Sequence, residues 1–156
     1  MKKKERIRMG VFQSHPIQYF APLWRLLSKD SKIDLTVFYL SNSGVTKIFD
    51  GGFGQDIAWD IPLLDGYKSI FLNKKAKPDQ RFSMRINSVK NVLRAHGLDC
   101  VLIPGYSRPF EWQVLWAAKS LGIKVIMRGD FSKSRNSNLF WNILRSAILR
   151  RLYTFV

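Results

Sequence analysis

Acidic side chains are scarce in this sequence: 11 Asp and Glu stand against 26 Lys and Arg, a net charge of +15. Cysteine is scarcer still. Cys100 is the only one, so no disulfide can form within the chain, and the apolar run DCVLIP around it marks a buried small side chain in a reducing compartment. No uninterrupted apolar run approaches the ~18 residues that a spanning helix requires. The opening MKKKERIRMGVF is basic, but the charges of Glu5, Arg6 and Arg8 break up its apolar positions, and no signal-peptide core forms. The expectation is a cytoplasmic, non-spanning chain. H-x-E, C-x-x-C and G-x-S-x-G clusters are all missing, which leaves metal and serine hydrolases without support. The polar turn after the first strand lacks a glycine fingerprint, which argues against a dinucleotide-dependent oxidoreductase.

What the sequence does have is zoned positive charge. Residues 1–9 hold five basic and one acidic residue, residues 74–94 seven and one, and residues 128–151 six and one; the rest of the chain is balanced at eight of each. Zoned charge of this kind attracts nucleic acid or an anionic membrane surface, although any one segment also reads as a solvated helix face. A basic nucleic-acid-binding α/β module is the alternative reading. It calls for exposed aromatics among the basic residues or a recognition helix, and neither is evident.

The stretch that organises the chain is RIRMGVFQSHPIQY, residues 6–19. Ile7, Met9, Val11 and Phe12 make a strand near 6–12, and Gly10 allows close backbone approach. Pro16 disfavours helix at His15, so the chain turns there. Pro22 suits the first turn of a helix that runs to about Asp30, with Phe20, Leu23, Trp24, Leu26 and Leu27 as its apolar face. Ile33 to Leu40 is a second strand, Tyr67 to Leu72 a short one, Asp99 to Pro104 a buried one and Ile123 to Met127 another. Helices are expected from a cap at Ser83 to a close at Gly97, and from Phe110 to Leu121 with a stop at Gly122. His96 reads as a last-turn residue of the first of these. A further amphipathic helix is expected from Asn138 to about Thr154. Residues 41–62 read as a long irregular stretch. Its DGGFG invites a phosphate-loop reading, but no strand leads directly in and the spacing matches no phosphate fingerprint.

Strands alternating with helices in this way predict a Rossmann-like α/β fold: a mostly parallel sheet with helices on both faces. In such a sheet the loops at the carboxyl ends of strands line the ligand crevice, which puts Gln13, Ser14, His15 and Gln18 at the functional edge. The competing reading is that His15 and Gln18 only cap the next helix and tie down the turn.

Taken in order, HPIQYFAPLW, DLTVFYLS, DGGFGQDIAWDIPLLDGY, PGY and GIKVIMRGD resemble the amino-terminal half of GT-B glycosyltransferases, and are more closely similar to the retaining family-4 type. The likeness runs over nearly all 156 residues. It implies one half of a GT-B fold, an acceptor-side domain of an enzyme that transfers a sugar from a nucleotide-sugar donor to a glycan or lipid-linked acceptor. It also implies a separate donor-binding domain with a paired-glutamate motif, which these residues do not contain. The chain therefore looks like a half-enzyme, inactive alone and without a cofactor of its own, peripheral at the inner face of the membrane. The resemblance places His15, Gln18, Gly105, Tyr106, Arg128 and Asp130 on the cleft. Arg128 would steady a phosphate of the donor or of a lipid-linked acceptor, and Asp130 would contact or deprotonate an acceptor hydroxyl. A helix or turn cap is the competing role for Asp130.

Overall fold

A computed structural model describes residues 6–42, 48–50, 55–57, 62–73, 84–105 and 108–128. In chain order the elements are β1 (Ile7–Gln13), α1 (Ala21–Ser28), β2 (Ile33–Tyr39), β3 (Ile48–Asp50), β4 (Gln55–Ile57), β5 (Lys68–Phe71), α2 (Ile86–His96), β6 (Cys100–Ile103), α3 (Pro109–Ser120) and β7 (Lys124–Met127). Five strands form one sheet in the order β5-β2-β1-β6-β7, every adjacent pair parallel. The fold is Rossmann-like α/β, with helices on both faces of the sheet.

The strands are nearly continuous apolar runs because parallel strands with helices on both sides are buried on both faces. Alternate residues therefore feed two separate cores. On the front, Val11, Leu35, Val37 and Tyr39 pack against Phe20 and Trp24 of the α1 region. On the back, Phe12, Phe38, Val101 and Ile103 pack against Val89 and Leu93 of α2 and Phe110, Val114 and Ala118 of α3. Phe12 and Phe38, opposite each other in the β1–β2 register, stack with ring centroids 4.6 Å apart. Cys100 is buried, and burial pushes its thiol pKa up, away from reactivity.

Helix ends follow backbone chemistry. Gly97 closes α2 at φ +54°, a left-handed conformation that costs a residue with a Cβ. His96 lies in the last turn of α2 and meets the Phe38 ring edge-on, with centroids 4.8 Å apart. It is half-buried there.

Three expectations need correction. The N-cap of α2 is Arg85, so the helix begins two residues past the position that a Ser83 cap requires. Residues 41–62 are not wholly irregular: β3 and β4 pair antiparallel, Ile48 with Ile57 and Asp50 with Gln55, so a strand does lead directly into Gly51. Three-residue strands are too short for an alternating pattern to register in the sequence. Gly10 makes room for side chains rather than for backbone, since a Cβ there would lie 2.5 Å from Leu98 Cδ1. The phosphate-loop glycines, Ser83 and the helix expected over 138–154 lie outside the described residues. Among the described residues, no helix is long and apolar enough to cross a membrane.

Candidate functional site

The strand order fixes where a ligand crevice can open. From β1 the chain passes through α1 to β2 on one side, and β6 lies on the other, with its own connection running away through α3 to β7. The loops leaving β1 and β6 thus part in opposite directions, and the carboxyl edge between them is the switch point at which open α/β sheets bind ligands.

On the β1 side, sheet pairing continues past the strand. The Leu40 N–H donates to the Gln13 carbonyl and the Ser41 N–H to the Ser14 carbonyl, each at 2.9 Å, so the start of the loop is held as firmly as the sheet. Gln13 and Ser14 are buried, and the Trp24 indole N–H donates to Oε1 of Gln13 at 3.0 Å. Ser14 Oγ is 2.9 Å from Nδ1 of His15. Gln18 sits half-buried in the turn before α1. Phe20 holds the N-cap position of that helix, so neither His15 nor Gln18 occupies it.

On the β6 side, Gly105 leads to the start of α3. The Arg108 N–H donates to Glu111 Oε2 at 2.9 Å, which satisfies a backbone donor at the helix start with a carboxylate three residues on. A Cβ on Gly105 would stand 3.0 Å from Glu111 Oε1, so glycine lets the loop lie against that buried carboxylate. Glu111 itself supplies a negative charge at the positive end of α3. Arg108 faces the other loop. Burial first, and the positive charge of Arg108 second, hold the pKa of His15 below the usual histidine value, which keeps its imidazole neutral at pH 7.

Arg128 comes directly after β7. Its N–H donates to the Ile103 carbonyl at 3.0 Å, extending the β6–β7 ladder, and its guanidinium carbon lies 5.5 Å from the centroid of Phe20. Phe20 stacks in turn on Trp24, with centroids 5.3 Å apart. A residue two strands away thereby touches the loop after β1.

Of the residues expected on the cleft, His15, Gln18, Gly105 and Arg128 lie at this one carboxyl edge, while Tyr106 and Asp130 lie outside the described residues. Gly105 lies against Glu111 and Arg128 against Phe20, while the charge of Arg108 reaches His15. Sequence reasoning passed over Arg108 and Glu111. The signal was the run Arg-Pro-Phe-Glu, in which proline at the first helical position and glutamate two residues later mark a helix start. No three His, Cys, Asp or Glu side chains among the described residues are grouped as a metal ion would need. Compared with protein-family models and with curated proteins, the chain matches none.

Proposed function

We propose that this chain is the acceptor-side domain of a glycosyltransferase of the GT-B kind, and that it works with a donor-binding domain to move a sugar from a nucleotide-sugar donor onto a glycan or lipid-linked acceptor. The observation that carries the reading is that a neutral imidazole, His15, and two guanidinium groups, Arg108 and Arg128, lie at the same carboxyl edge of the sheet, at the ends of three different strands. That set suits hydroxyl and phosphate oxygens, the groups that a sugar or a phosphate-linked acceptor presents. The motif order from HPIQY to GIKVIMRGD supports the same reading. In it Gln18 and Gly105 flank the acceptor, Arg128 steadies a phosphate, and Tyr106 and Asp130 complete the acceptor contacts.

Transfer needs groups arranged around both substrates, and one wall alone supplies neither the burial nor the orientation. The chain by itself is therefore expected to bind acceptor and turn nothing over. Calorimetry of the 156-residue chain with a polyprenyl-phosphate-linked sugar and with UDP- and GDP-sugars tests the division of labour. Acceptor binding that weakens at least tenfold in His15→Ala, without micromolar binding of either nucleotide sugar, is the expected result. Tight nucleotide-sugar binding would overturn the acceptor-side assignment. Salt-sensitive retention of RNA with no acceptor binding would replace it with the nucleic-acid reading.

A further inference from the structure

We infer that the outer face of α1, together with Tyr19 just ahead of it, is the surface by which this protein seats itself on an anionic lipid bilayer. The run from Phe20 to Leu27 holds more apolar side chains than one side of a helix can turn toward the sheet. Phe20, Ala21 and Trp24 are buried, whereas Tyr19, Leu23 and Leu26 stay 68%, 37% and 68% exposed. Those three recur at i, i+4 and i+7, the spacing of one side of a helix. A lone exposed leucine is ordinary on a protein surface, but three large apolar side chains along one short helix form a patch, and such patches mark membrane or protein contacts.

The patch is carried rigidly. The Trp24 indole donates to Gln13 beneath the helix, and on one flank the Arg25 guanidinium donates to the carbonyls of Pro62 and Asp65. Rolling α1 to bury Leu23 and Leu26 would break both ties.

Charge decides between a bilayer and another protein. No acidic residue occurs from Ser14 to Lys29. Where α1 ends, Lys29 and Lys32 are exposed, and Arg6 is held beside them, its guanidinium donating to the Ile33 carbonyl at 2.6 Å and to that of Asp30 at 3.4 Å. Three cations stand there against the carboxylate of Asp30, which accepts from the Lys32 N–H. Asp34, next along β2, alternates with Leu35 and so belongs to the other face of the sheet. Leucines that enter the boundary of the acyl chains, a tyrosine at headgroup depth and flanking cations are the parts of an interfacial helix. Neither part anchors firmly alone, since stable attachment takes an apolar and a basic element together. Binding therefore needs anionic lipid and is lost at high salt, while the apolar stripe supplies a share of the affinity. That a lipid-linked acceptor is met at this surface rests on the acceptor-side reading above, whereas the surface itself does not.

The test places a polarity-sensitive fluorophore on the full chain through Leu26→Cys and adds vesicles of phosphatidylcholine and phosphatidylserine in equal parts. Cys100 is buried with a raised thiol pKa, which leaves the new thiol as the reactive one. Asn91→Cys, at an exposed position of α2 on the back of the sheet, is the control. Emission from position 26 should move to the blue and be quenched by doxyl-labelled lipid, and emission from position 91 should do neither. A label at 26 that stays in water while the protein is vesicle-bound would overturn the inference, and so would equal quenching at both positions. A response at 26 that follows protein concentration without lipid, and is not quenched by doxyl lipid, would replace the bilayer with a second copy of the chain. Leu23→Gln/Leu26→Gln alters exposed positions, so it should keep the wild-type urea midpoint while lowering the vesicle partition coefficient roughly tenfold or more. An unchanged coefficient would leave adsorption to charge alone. Vesicle docking without calorimetric binding of the acceptor upholds this surface and counts against the acceptor-side reading.

Discussion

The Trp24 indole donates its N–H to the side-chain oxygen of Gln13 at 3.0 Å, inside the front core, where both residues are buried. The pair joins the last residue of β1 to the middle of α1, and so fixes the loop that carries His15 at both its ends. Trp24→Phe would keep most of the ring volume and leave the Gln13 amide buried with a lost partner, at a cost of about 1–3 kcal/mol. Replacing both partners by apolar groups removes the unsatisfied amide, so Gln13→Leu/Trp24→Phe should recover part of that loss. Urea unfolding of the three variants measures it. A double variant that is less stable than Trp24→Phe alone would show that the pair is not the limiting interaction.

At the opposite edge of the sheet, Asp99 accepts from the Arg8 backbone N–H at 2.8 Å and from its guanidinium at 2.8 and 3.2 Å, joining the starts of β1 and β6. These hydrogen bonds from Arg8 hold the Asp99 carboxyl below its ordinary value of 3.8. A depressed carboxyl pKa contributes stability above the unfolded value and loses it as pH falls through the folded one. Both side chains are about half-exposed, at 54% and 44%, so the solvent-screened contribution stays below about 1 kcal/mol. The stability gap between the wild type and Asp99→Asn should be constant near neutrality and close as pH drops below 3.8. A gap that persists unchanged in acid would assign the effect to packing.

Gly10 lies under three side chains of the back core. A Cβ there would meet Leu98 Cδ1 at 2.5 Å, Phe12 Cε2 at 3.1 Å and Phe38 Cε2 at 3.3 Å. Leu98 can swing its terminal methyl away, but the two stacked rings have little room to give. Gly10→Ala should therefore destabilise the fold by about 1–3 kcal/mol through overpacking. Adding Leu98→Ala to it should cost less than Leu98→Ala costs the wild type, because the new methyl enters the space vacated. Thermal unfolding of the four proteins reads this coupling, and simple additivity would refute it.

The sheet was legible in the sequence because each of its strands is a short apolar run bounded by turn residues, and the helices between carry apolar stripes. From there the parallel strand order comes from chain geometry. What escaped was set by contacts that no local pattern records. The β3–β4 hairpin has strands of three residues, too brief for a period to show. Leu98 fills the space beside Gly10 only once β1 and β6 are neighbours. At the site, the family resemblance supplied Gly105 and Arg128 as candidates, and the strand-end rule pointed to His15 and Gln18. It could not reveal that Arg108 acts on the His15 ring or that Gly105 rests on Glu111, since those relations exist only after α3 docks on the back of the sheet.

The proposed lipid-linked acceptor brings the zoned charge into play. The excess of positive charge falls in residues 1–9, 74–94 and 128–151, and the last of these begins at Arg128, beside the candidate site. A cation near an anionic leaflet contributes roughly 1 kcal/mol, and the attraction fades beyond a Debye length of about 8 Å at physiological salt. A few residues acting together are enough for measurable adsorption to the kind of surface in which a lipid-linked acceptor is embedded. Co-sedimentation of the chain with vesicles containing phosphatidylserine should exceed that with neutral vesicles and fall steeply as salt is raised. Replacing Arg145, Arg150 and Arg151 with glutamine should weaken adsorption to the anionic vesicles by about 3 kcal/mol at most, if each residue acts at the surface. Equal pelleting with neutral and anionic lipids, or pelleting that survives high salt, would mean that the basic zones serve another purpose, and the membrane would have to be dropped from the proposed role.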